Sequence, residues 1–123
     1  MVLLKGNHIQ GAGGPREAYE KMSRRNRRGL PVEIEVRNLG ELSEVLGLPI
    51  ERIMLDNMSI REMREAVELV RGTLSRTRKP LLEASGNITL ENVREVAETG
   101  VDLISVGALT HSVRAIDVSF SVE

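Results

Sequence analysis

The sequence predicts an α/β protein built on a parallel sheet, and the pattern of runs is what predicts it. Short β-rich runs alternate with longer amphipathic stretches, and each short run ends in a polar or glycine-bearing turn. The intervening stretches are long enough for crossover helices, which parallel neighbours require and hairpin neighbours do not. A length of 123 residues with 41% apolar content is ordinary for the core of one domain.

The candidate strands are Val2 to Lys5, Val32 to Val36, Arg52 to Asp56, Leu81 to Ala84, Asp102 to Val106 and a last one at Ile116 to Phe120. A helix is expected to begin near Pro15, where proline suits the first helical position, and to run to Gly29. Glu17 and Glu20 come early in it and Arg24, Arg25, Arg27 and Arg28 come late, so its charges would complement its dipole. The arginine run could also suggest a nucleic-acid patch, but dipole pairing is the better account. Ile60, Met63, Val67 and Val70 form one apolar stripe over 60–71, with Gly72 as a stop. Leu90, Val93 and Ala97 repeat the pattern before Gly100, with Thr89 as N-cap and Glu91 in the first turn. Gly11, Gly13 and Gly14 read as a flexible loop without dinucleotide-binding spacing.

Composition excludes several classes of function. With 17 Lys and Arg against 18 Asp and Glu, the net charge of -1 offers no general attraction to nucleic acid or to an anionic membrane. Tyr19 and Phe120 are the only aromatics, too few for a base-stacking platform. Cysteine is absent, which removes disulfides, thiolate metal sites and cysteine nucleophiles. No apolar run approaches the ~18 residues of a membrane span, and the expected location is cytoplasmic. His8 and His111 lack metal-site spacing, and no nucleophile elbow surrounds Ser85.

Ligands of parallel α/β folds meet the carboxyl ends of the strands, where loops are free to vary and helix amino termini converge. At those ends stand Lys5 with Asn7 and His8, then Glu33, Glu35 and Arg37, then Asp56 and Asn57. Ser85-Gly86-Asn87 and Gly107-Ala108-Leu109-Thr110 follow, two glycine turns suited to phosphate. Glu33, Glu35 and Arg37 alternate with Val32, Ile34 and Val36, which puts the charges on one face. That face is either a site whose charges need a cation, metal or ligand, or the solvent side of an edge strand. Asp56 ends an apolar run and is either a site carboxylate or the cap of the next helix.

Read together, Lys5-Gly6-Asn7-His8-Ile9, Val32-Glu33-Ile34-Glu35-Val36, Ile53-Met54-Leu55-Asp56-Asn57-Met58, Leu82-Glu83-Ala84-Ser85-Gly86-Asn87-Ile88-Thr89 and Gly100 to Ser112 resemble the C-terminal half of quinolinate phosphoribosyltransferases. The closing Ala115 to Ser119 also fits, so the resemblance spans nearly the whole chain. It implies an incomplete TIM-like (β/α) barrel of about five βα units plus a terminal strand, since a closed barrel typically needs ~200 or more residues. The abrupt apolar start at Val2-Leu3-Leu4 then reads as a cut within a barrel strand series, with the N-terminal sandwich domain and early barrel strands absent.

The activity implied is conversion of quinolinate and phosphoribosyl pyrophosphate to nicotinate mononucleotide, pyrophosphate and carbon dioxide in NAD biosynthesis, with Mg2+. By motif position Lys5 resembles the lysine facing the substrate carboxylates. Glu35 and Asp56 resemble the acidic pair at the ribose and the Mg2+-pyrophosphate, and Ser85, Gly86, Asn87, Gly107 and His111 resemble the phosphate-binding loops. The resemblance also implies partners, either the missing N-terminal half or a homo-oligomer. The family usually carries aspartate where Gly6 stands and glycine where Asn87 stands, and Lys5 is the only matched cation for the dicarboxylate. The alternative reading is a non-catalytic half-barrel that binds phosphate or serves in assembly.

Overall fold

The computed structural model describes residues 1–72 and 79–107. His111, the Ala108-Leu109-Thr110 part of the last turn and the strand expected at Ile116 to Phe120 lie outside the described residues.

Five strands, β1 (Val2–Leu4), β2 (Val32–Val36), β3 (Arg52–Asp56), β4 (Leu81–Ser85) and β5 (Leu103–Ser105), form one sheet in that order. Every pairing is parallel. Sequential order with right-handed crossovers places the connecting helices on one face, the arrangement of a segment of a (β/α) barrel. That face is apolar: Ile34, Val36, Ile53, Leu55, Leu82 and Ala84 pack in one core with Leu42, Val45, Met63, Ala66, Val67 and Val96 from the helical layer.

The helices are α1 (Gly6–Ala12), α2 (Pro15–Ser23), α3 (Leu39–Val45), α4 (Ile60–Gly72) and α5 (Val93–Ala97). The glycine-rich stretch expected as a flexible loop is instead the junction of α1 and α2. Gly11 is helical, and Gly13 closes α1 with φ 101° while the Gly13 and Gly14 N–H groups return to Ile9 O at 3.1 and 3.0 Å. A left-handed residue at this point costs glycine little, and buried Ile9 anchors the turn.

Helix α2 starts at Pro15 as expected but ends at Ser23, well short of Gly29. Asn26 stops it: its side chain both accepts from Leu30 N–H at 3.0 Å and donates to Leu30 O at 2.8 Å, closing a tight loop. Arg25, Arg27 and Arg28 therefore stand beyond the helix, and its last turn carries Lys21 instead, which overturns the dipole account of the arginine run. Helix α5 is also shorter than its apolar pattern. Asn92, not Thr89, is the N-cap, because Asn92 Oδ1 takes the Thr89 N–H at 2.8 Å and holds the preceding residues in a turn. Leu90 is left 90% exposed and contributes nothing to the stripe.

Candidate active site

The strand registers decide which side chains share a face. Glu33 is level with Arg52, Arg52 with Leu81, Met54 with Glu83, Asp56 with Ser85, and Ser85 with Ser105. Alternation then puts Glu33, Glu35, Arg52, Asp56, Glu83 and Ser85 on the face opposite the helix-packed core. β2 is flanked by β1 and β3, so its carboxylates do not lie on a solvent-facing edge strand. Arg37 departs from the pattern: it follows β2 and pairs with Glu41 at 2.8 Å across the start of α3.

Two tiers can be distinguished on this face. In the lower one Arg52 Nη1 lies 2.8 Å from Glu83 Oε2 and 3.9 Å from Glu33 Oε2, and Ser105 Oγ donates to the other Glu83 oxygen. Glu33 and Glu83 are both buried. Burial first, then the neighbouring Glu83 carboxylate, raise the Glu33 pKa above its ordinary value, against the pull of Arg52 and Lys5. Glu33 Oε1 and Arg52 Nε have no hydrogen-bond partner among the described residues. Arg52 was not a sequence candidate and Glu83 was passed over as a strand residue. Their signal was parity, since Arg52 opens β3 level with Glu33, and Glu83 stands on β4 level with Met54, on the same face.

The upper tier holds the sequence candidates. Glu35 Oε1 accepts from the Gly6 N–H at 3.0 Å, which joins the end of β2 to the beginning of α1. A Cβ at Gly6 would stand 3.2 Å from the same oxygen, so the absence of a side chain permits the approach. Desolvation raises the Glu35 pKa and the nearby Asp56 carboxylate adds to it, while Gly6, Lys5 and Arg37 oppose. Lys5, exposed between β1 and α1, thus contributes positive potential to both Glu33 and Glu35.

Asp56 is not the cap of α4. Ser59 fills that role, its Oγ accepting from Glu62 N–H at 3.3 Å while Glu62 Oε2 accepts from Ser59 N–H at 2.8 Å. Asp56 instead accepts from Asn57 Nδ2 at 3.0 Å, and Asn57 Oδ1 accepts from Asn87 Nδ2 at 2.9 Å. The Ser85-Gly86-Asn87 turn is thereby set beside Asp56, with Gly86 at φ 90°. Asn57, Ser59, Gly86, Asn87 and Asn92 help line a cavity of about 170 Å3 between the β3–α4 and β4–α5 loops. Gly107, exposed, follows β5 at the same end of the sheet. Lys5, Glu35, Asp56, Ser85, Gly86, Asn87 and Gly107 are therefore gathered along one sheet edge.

Among the described residues no group of three His, Asp or Glu side chains converges to hold a metal. Nor is any helix there long and apolar enough to cross a membrane.

Known proteins share this fold. The nicotinate-nucleotide pyrophosphorylase of Francisella tularensis superposes with a TM-score of 0.78 at 42% identity, over 96% of this chain and 40% of that one. A mitochondrial quinolinate phosphoribosyltransferase (decarboxylating) of Nicotiana tabacum is 40% identical over all of this chain and 38% of its own length. A chloroplastic nicotinate-nucleotide pyrophosphorylase (carboxylating) of Oryza sativa is likewise 40% identical, over 36% of its own length. The chain thus spans about two fifths of the length of these relatives. Residues 1–121 match the family described as quinolinate phosphoribosyl transferase, C-terminal domain, and the chain belongs to that family.

Proposed function

We propose that the chain supplies the ribose- and phosphate-handling part of a quinolinate phosphoribosyltransferase. The reaction joins quinolinate to phosphoribosyl pyrophosphate and yields nicotinate mononucleotide, pyrophosphate and carbon dioxide. The pyridine nitrogen bonds to the ribose anomeric carbon as the bond to pyrophosphate breaks. Loss of the adjacent carboxyl group as carbon dioxide leaves a ring carbon that takes a proton.

The observation that carries this reading is the convergence of Glu35 and Asp56 beside the Ser85-Gly86-Asn87 turn, on the family's own scaffold. Positive charge developing on the ribose in the transition state is stabilised by two fixed carboxylates. Lys5 faces the dicarboxylate, and the turns at Ser85 to Asn87 and at Gly107, with His111, take the phosphate. The donor set suits Mg2+, a hard cation that usually takes one or two protein carboxylates and completes its shell with substrate phosphate and water. Burial, and after it the repulsion from Asp56, raise the Glu35 pKa, and such a cation would relieve the repulsion. When bound, Mg2+ supplies charge neutralisation of the departing pyrophosphate.

The remaining cations for a dicarboxylate come from elsewhere, either an N-terminal half or a second subunit. The test is release of carbon dioxide from carboxyl-labelled quinolinate in the presence of phosphoribosyl pyrophosphate and Mg2+. The chain alone is expected to release none, and the chain mixed with the N-terminal half of a relative to release it. Turnover by the chain alone would overturn the need for a completing half. In parallel, nicotinate mononucleotide should raise the melting temperature, by about 2.7 kcal/mol of stabilisation at a hundredfold excess over Kd. A Ser85→Ala, Gly107→Asp double variant should lose that shift. A shift without turnover in any mixture would favour the non-catalytic phosphate-binding or assembly module.

A further inference from the structure

Asn57 and Asn87 are the two non-glycine residues with a left-handed backbone among the described residues, at φ 52° and φ 51°. Asparagine tolerates that region better than most residues, so the backbone alone assigns nothing. The side chains do. Asn87 Nδ2 donates to Asn57 Oδ1 at 2.9 Å, and Asn57 Nδ2 donates in turn to Asp56 Oδ1 at 3.0 Å. The Asn57 backbone is also engaged, its N–H donating to Ser85 O at 2.9 Å. On the far side Asn92 Nδ2 fixes Asn87 O at 2.9 Å.

Gly86 completes the arrangement, because a Cβ there would lie 2.6 Å from Asn57 Cγ. The turn is thus bare at the point where the Asn57 amide rests on it. Few side chains could replace that amide. Both bonds need one donor and one acceptor at the end of a two-carbon side chain. Aspartate offers no donor to Asp56 and would add a like charge, and glycine offers neither group.

We propose that Asn57 is a positioning residue that ties the Asp56 carboxylate to the Ser85-Gly86-Asn87 turn, so that a change in the Asp56 side chain and an anion placed at the turn are each felt by the other. The proposal deepens the function given above and rests on it only for the anion; the tie itself is a property of the protein. Coupling of this kind is reciprocal, and its usual size gives at least about a fivefold change in affinity.

The tie is tested first without ligand, on the full chain labelled with 15N. Asp56→Ala is expected to shift the Gly86 amide resonance. In an Asn57→Gly background, which keeps the left-handed backbone and removes only the side chain, that shift should fall by at least half. Asn87→Gly serves as a second background that breaks the same path at its other end and leaves Asn57 in place. Equal Gly86 shifts in all backgrounds would overturn the proposal, since through-space effects of Asp56 would then account for them.

The second measurement titrates inorganic phosphate and reads Kd at Gly86. Asp56→Ala should change Kd about fivefold in the wild-type background and less than twofold with Asn57→Gly. An unchanged ratio in the two backgrounds would also overturn the tie. Absence of phosphate binding in every variant would instead remove the anion reading of the turn, and the ligand-free shifts would decide the tie by themselves.

Discussion

The two faces of the sheet are made from the same strands yet obey opposite rules. On the helix side Ile34, Val36, Leu55 and Ala84 are 0% exposed and belong to the apolar core. On the other side, Glu33 and Glu83 are buried almost as deeply, at 6% and 4%, but through an arginine and a hydroxyl rather than through packing. One face contributes stability by removing apolar area from water. The other holds charges out of water at a cost, because buried like charges are unfavourable unless a cation or ligand compensates. Within that polar face the lower carboxylates are braced by Arg52. Glu35 and Asp56 are steadied by a backbone N–H and an amide, which leaves them available to a ligand.

The largest effect that would sharpen this contrast is truncation on the apolar face. Leu55→Ala should cost about 3 kcal/mol in urea unfolding, from lost transfer energy and the cavity left in the core. A loss below about 1 kcal/mol would mean that the helix layer does not pack as described.

Gly86→Ala comes next, at about 2 kcal/mol, because it adds a Cβ at φ 90° against the Asn57 amide. Its cost separates into two parts. In an Asn57→Gly background the overlap disappears and only the backbone strain remains, so the two substitutions should be non-additive. Additivity would show that Asn57 is not the obstacle.

Arg52→Met should be milder, about 1 to 2 kcal/mol, since the arginine is partly exposed and Glu33, its pKa already raised by burial, can take up a proton. Replacing Arg52, Glu33 and Glu83 together by apolar residues of similar volume should recover most of that loss. If the triple variant were worse than Arg52→Met alone, the lower tier would contribute to stability like the apolar face, and the contrast between the faces would fail.

Most of the architecture was legible because periodicity reports directly on burial. The parallel βα order, the five described strands and the α4 stripe follow from which positions must avoid water. Two helix-boundary errors fall where local side-chain bonds compete with the helix. The early end of α2 depends on the Asn26 clasp with Leu30, and the late start of α5 on the Asn92 bond to Thr89. Neither alters the apolar pattern, so periodicity cannot detect them. Glu35, Asp56 and the turn at Ser85 could be singled out because strand ends are where ligands meet such folds. Arg52 was not, and Asn57 was named at a strand end without its role, for a different reason. Their partners, Glu83 and Asn87, are 31 and 30 residues away, and only the strand register brings them together.

The smallest expected effect concerns pH and separates burial by packing from burial by charge. Burial and Glu83 hold the Glu33 pKa above its ordinary 4.5, so the folded state binds that proton more tightly than the unfolded chain does. The corresponding stability is fully present below the ordinary glutamate range and is lost as pH rises through the folded value. Glutamine at this position cannot titrate. The urea midpoint of Glu33→Gln, taken relative to wild type, should therefore be more favourable at about pH 7 than at about pH 4. Leu55→Ala should show no such trend, its difference from wild type being the same at both values. A Glu33→Gln difference that does not change with pH would mean that Arg52 already cancels the cost of burying the charge, and the polar face would then be as settled as the apolar one.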